Sequence, residues 1–255
     1  MSLIDLIKNS FAKVVENPTT TLILVVFLLG VNFIIPAIFT TTNKLTAILL
    51  ISCLFMLCCS FLAGWFQVIK ETKGEIKDKN FFAIFFEGAG KNLIKTIIAI
   101  ILYFVFFTLM VFIARHIALK VFGSLDFLFL DIRSIASDNS SLMQYFNNLT
   151  DNQKYTILGW QMSFIWALTV FNFLSLFYFP AVFYSRAKNQ FLVSFIALID
   201  NIVFTFKNFF PVLLIFILIN FIHFILAVLN ALFANNALMS LILLFIYIYF
   251  ICMGI

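Results

Sequence analysis

Asn32, Asn172, Asn220 and His223 each stand near the middle of a long apolar run. Polar and ionisable groups are costly in hydrocarbon, so each of them needs a reason to be there. Two chemistries suit these residue types. An imidazole titrates near neutral pH, so His223 in a small polar cavity would pass protons while the Asn amides orient water or a solute. The plainer reading is interhelical glue, worth about 0.6 kcal/mol per hydrogen bond in a membrane. Spacing permits either. Asn220, His223, Ala227 and Asn230 recur at i, i+3, i+7 and i+10, one helical face, and Gln161, Thr169, Asn172 and Ser175 form a second stripe.

Other chemistry has little to work with. H-E-x-x-H, G-x-S-x-G and P-loop patterns are all missing. No Asp or Glu lies in the middle of an apolar run, so the carboxylate common in ion-coupled carriers is lacking. With two His and no clustered acids, neither a catalytic residue nor a metal or other cofactor is expected. Cys53, Cys58, Cys59 and Cys252 sit within apolar runs, as small buried residues do. Arg115, His116 and Lys120 close one run and would snorkel to headgroups.

The elements that must position these residues follow from composition. Charged residues make up 11% of the chain, less than half of the roughly 25% found in a soluble globular domain. The chain is therefore expected to be a polytopic membrane protein. About 20 apolar residues cross a bilayer as a helix. Such runs occur at 22–39, 45–69, 93–114, 157–184, 209–233 and 237–255. Backbone in lipid must satisfy its own hydrogen bonds, so six transmembrane helices in an all-α membrane protein are predicted. The first run follows a helical pattern of its own and lacks an A-x-A site, so cleavage as a signal peptide is not expected.

Charge orients the spans. Lys8, Lys13, Lys70, Lys73, Lys77, Lys79, Lys91, Lys95, Arg186, Lys188 and Lys207 fall on the side of the N-terminus. Lys44, Arg115, Lys120, Arg133 and Lys154 fall on the other. Eleven against five places both termini in the cytoplasm.

A threefold pattern underlies the runs. Asn17, Asn92 and Asn208 each precede an odd-numbered span, 75 and 116 residues apart, and the second gap is lengthened by an outer loop at 119–156. The predicted unit is an interfacial helix, an Asn-marked turn into the span, and a helical hairpin. Three pseudo-repeats result, at 1–77, 78–186 and 187–255, within a single membrane domain spanning 1–255. The interfacial helices are expected at 2–16, 80–90 and 189–206, the first and third with a polar face suited to the headgroup plane and the second nearly all apolar. Asn suits the turn as a helix cap, and Pro18 and Pro211 fall near helix starts, where Pro costs least.

Asn–Pro at 17–18, Lys–Asn–Phe–Phe–Pro at 207–211 and the Gly64–Trp65 exit give a layout that resembles six-span bacterial integral membrane proteins. The membrane domain attached to some glycerophosphodiester phosphodiesterases is of this type. The resemblance implies a bacterial inner-membrane domain that organises lipid or a protein partner, a second copy included, rather than performing chemistry. Nucleic acid is not an expected partner. The alternative expectation is a small-solute or lipid permease whose path is lined by Asn32, Asn172, Asn220 and His223. Unbroken spans and missing carboxylates weigh against it.

Overall fold

A computed structural model describes residue 12 and residues 18–72, 81–126, 148–185, 189–232, 242, 243 and 246. The described elements are all helical: α1 (Pro18–Thr40), α2 (Lys44–Thr72), α3 (Phe81–Phe122), α4 (Asp151–Ser175), α5 (Tyr178–Tyr184), α6 (Gln190–Lys207) and α7 (Phe209–Leu232). Six stretches are long and apolar enough to cross a membrane: Ile23–Thr40, Lys44–Glu71, Phe81–Phe122, Asp151–Tyr184, Gln190–Lys207 and Phe209–Leu232. Such a set belongs to a multi-pass membrane protein. Its membership differs from expectation in one place, because α6 qualifies although the sequence pattern assigns it to the interface. Span 237–255, helix 2–16, Asn17 and most of loop 119–156 lie outside the described residues.

The chain forms two compact units, Met1–Ile100 with Phe177–Ile255, and Ile101–Leu176. In the first, α1 and α2 pack as a hairpin across the short link 41–43. Asn43 starts α2, its Oδ1 accepting from the Leu45 N–H at 2.9 Å. The hairpin is stapled by Phe27 stacked on Phe61, with ring centroids 3.8 Å apart. Phe66 stacks on Phe183 of α5 at 4.4 Å, and Val68, Ala63, Cys59, Tyr178 and Val182 are buried in the same unit.

Glycine lets α2 and α3 touch. A Cβ on Gly64 would come within 2.7 Å of the Phe85 carbonyl oxygen, and one on Gly88 would overlap the Gln67 side chain. Small residues at a helix contact bring backbones close, which is the main source of attraction between helices in lipid. This contact also explains a departure from the predicted repeat. Asn92 is no turn: α3 runs unbroken from Phe81 to Phe122, 42 residues, or about 63 Å of helix. Gly88 and Gly90 weaken that helix locally, but the close approach at Gly88 offsets the loss, so the expected interfacial segment 80–90 and span 93–114 are one helix.

The second unit is a hairpin of the C-terminal part of α3 with α4. Gly123, at φ +86°, ends α3 in the left-handed conformation that a side chain resists, and its N–H donates to the Leu119 carbonyl at 3.2 Å. Trp160 Nε1 donates to the Gly123 carbonyl at 2.9 Å, and Thr156 Oγ1 to that of Phe122 at 3.1 Å. Thr150 and Gln153 close the start of α4 with reciprocal caps. Phe171 is buried among Tyr103, Phe106 and Phe107.

The expected fourth span, 157–184, is broken in the structure: α4 stops at Ser175 and α5 starts at Tyr178. Pro180 supplies the cause. It has no N–H for the Leu176 carbonyl four residues earlier, and its ring crowds that carbonyl.

Candidate functional site

The polar groups of the first unit converge on a buried seam where α2, the first turns of α3, α5 and α6 meet. Asn92, 6% exposed, donates from Nδ2 to Gln67 Oε1 at 3.1 Å, and Gln67 Nε2 donates to Glu71 Oε1 at 3.1 Å. Thr96 Oγ1 donates to the Asn92 carbonyl at 2.8 Å. One turn on, Tyr178 donates its hydroxyl to the Ala99 carbonyl at 3.2 Å.

Helix α6 supplies the other wall, and its orientation reverses the expectation for an interfacial helix. Val193, Ser194, Ala197, Asn201 and Thr205 form its buried face. Phe191, Leu192, Phe195, Ile199, Phe204 and Phe206 are exposed. The polar stripe turns into the protein and the apolar stripe outward. Polar side chains turned inward find partners there: Ser194 Oγ donates to the Lys95 carbonyl at 3.2 Å, and Asn201 Oδ1 accepts from the Phe177 N–H at 3.2 Å. Asn201 thereby serves the amide at the break in the fourth span. Thr205 Oγ1 is buried without a hydrogen-bond partner.

Lys95 borders this seam, its carbonyl accepting from Ser194. Half-buried, it holds its ammonium 4.8 Å from the centroid of the Phe183 ring. Lys91 stands one turn before it on α3, and Lys70 closes α2.

No family model, curated protein or solved structure matches the chain.

The residues singled out from sequence fall elsewhere. Asn32, Asn172, Asn220 and His223 are all exposed. Asn220 and His223 lie one turn apart on α7, Asn32 lies on α1, and Asn172 belongs to the second unit. Asn220 Nδ2 donates to the Phe216 carbonyl of its own helix at 2.7 Å. Near Asn32, Pro36 inside α1 leaves the Asn32 carbonyl without its usual helical donor, doubling the polarity of that spot. Of the three Asn expected at turns, Asn208 occupies the junction of α6 and α7, its N–H donating to the Phe204 carbonyl at 2.9 Å. Asn92 sits in the seam.

The seam was missed because its members are scattered among unremarkable positions. Two signals point to it in retrospect: Gly64 with Gly88, which mark a close helix contact, and Pro180, which marks a break needing a polar partner. Among the described residues no three of His, Cys, Asp and Glu come together as a metal site requires. Among the described residues, a depression of about 560 Å³ beside Arg115 and His116 is lined by α3.

Proposed function

We propose that this protein is a non-enzymatic, multi-pass component of a bacterial inner membrane that organises lipid or a partner protein, with both termini in the cytoplasm. The observation that carries the reading is α6, with polar side chains spent inward on backbone and side-chain partners and large apolar side chains outward. Groups consumed in this way act in cohesion rather than standing poised for substrate. The excess of Lys and Arg on the side of the termini supports the orientation. Gentle purification from native membranes, with mass spectrometry of bound lipid and protein, tests it. Retention of a stoichiometric protein or of one enriched lipid is the expected result, and a chain that retains neither sinks the proposal.

One observation favours a second reading, a small-solute or lipid permease. The break at 176–177 interrupts a span, and carriers build their sites at such interruptions. Uptake of a solute or lipid into proteoliposomes, absent from vesicles without the protein, would establish the permease instead.

A further inference from the structure

We infer that Lys70, Lys91 and Lys95, beside the N-terminus of α6, form a binding site for a phosphate-bearing anion. The inference rests on the membrane-component reading and names the ligand class that this component would hold.

Three sources of positive potential meet at one place. Lys91 and Lys95 project from successive turns of α3, and Lys70 comes from the last turn of α2. The Asn92–Gln67 hydrogen bond at 3.1 Å holds the end of α2 against the first turns of α3, and Lys70 lies one turn beyond Gln67. The first turn of α6 is docked on the same backbone, with Ser194 Oγ 3.2 Å from the Lys95 carbonyl and Gln190 Nε2 3.5 Å from that of Lys91. The Asn189 side chain caps that turn, which carries no acidic residue, so the positive end of the α6 dipole adds to the lysines. Two carboxylates lie on the neighbouring turns. Glu71 has one oxygen engaged by Gln67, and Glu87 is exposed one turn before Lys91.

Like charges gathered around a half-buried ammonium repel one another, and an anion relieves the repulsion. Lysines act as separate point charges, which suits the several oxygens of a phosphate better than the planar fork of a carboxylate. The Phe183 ring beneath Lys95 limits where that ammonium can go. Exposed Phe191, Leu192 and Phe195 continue from the site along α6. A phospholipid would therefore lay its chains on α6 with its phosphate among the lysines, while a free phosphate-bearing solute would use the lysines alone.

Native mass spectrometry of the purified chain with phosphatidylglycerol tests the site, with diacylglycerol as the phosphate-free control. Lys70 and Lys91 are exposed, so K70Q and K91Q should leave the fold intact, which circular dichroism checks. Each is expected to weaken phosphatidylglycerol about fivefold, and the double variant roughly 25-fold. K44Q, on the opposite side in the expected topology, should match the wild type. Displacement of the lipid by inorganic phosphate supports the site with a soluble source, and retention against inorganic phosphate supports it with a lipid source. Equal binding of phosphatidylglycerol by K70Q/K91Q and K44Q overturns the proposal, as does equal binding of diacylglycerol. If K70Q/K91Q keeps the native lipid or partner that the wild type keeps, the site falls and the broader reading stands.

Discussion

The Asn201 side chain accepts the Phe177 N–H across 3.2 Å, joining the middle of α6 to the point where the fourth span breaks. Asn201 is 2% exposed and Phe177 is half-buried. A backbone N–H left without an acceptor in such a place costs about 1–3 kcal/mol. Asn201→Leu should therefore lower stability by about that amount, read as a drop in the midpoint of thermal unfolding in detergent. An unchanged midpoint would mean that the break is held by something else.

Thr205 and Ser194 lie on the same buried face of α6 and should respond with opposite signs. The Thr205 hydroxyl has no partner, whereas that of Ser194 reaches the Lys95 carbonyl. Thr205→Val keeps the shape and removes an unpaired polar group, so a gain of about 1 kcal/mol is expected. Ser194→Ala removes a made bond and should cost about 1 kcal/mol. The same thermal measurement decides both, and equal signs would contradict the hydrogen-bond assignment.

Gly88 and Gly90 make a sharper pair, two residues apart on one helix. A Cβ at Gly88 runs into Gln67, while one at Gly90 meets nothing within 4 Å. Gly88→Ala should force α2 and α3 apart at a cost of about 1–3 kcal/mol. Gly90→Ala should stabilise by about 0.4–1 kcal/mol, because alanine lowers the entropy of the unfolded chain. Loss of stability in both variants would show that helix α3 is not continuous here.

Asn220 is exposed and already bonded within its own helix. Asn220→Leu should consequently change stability by no more than about 0.5 kcal/mol. A larger loss would mean that the amide ties α7 to another element, as the glue reading of the sequence holds.

Legibility in the sequence followed the scale of the signal. Runs of apolar residues are long, so the helices at 22–39, 45–69 and 209–233 are recognisable, and α1, α2 and α7 lie close to those bounds. Breaks and turns depend on single residues. Asn92 and Asn208 look alike in sequence, each after a Lys before an apolar run. Asn208 is followed by Pro211, which cannot continue the hydrogen-bond ladder behind it, and a junction forms. Asn92 has no such successor and has Gln67 within reach, so helix continues through it. The polar stripe of α6 was visible too, but periodicity reports only that two faces differ. Which face meets protein is set by the partners on α3 and α5, and no count along one helix contains that information.

The reversed faces of α6 have a consequence for biogenesis. Only Asn208 separates α6 from α7, and the two helices touch little beyond that junction. During synthesis α6 emerges with Ser194 and Asn201 on its flank, groups that lipid alone would leave unsatisfied. The surfaces that cover them, Lys95 on α3 and Phe177 before α5, lie earlier in the chain and have already left the ribosome. The order of residues thus supplies a template before the helix that needs it, and α6 settles by joining a scaffold rather than by partitioning on its own.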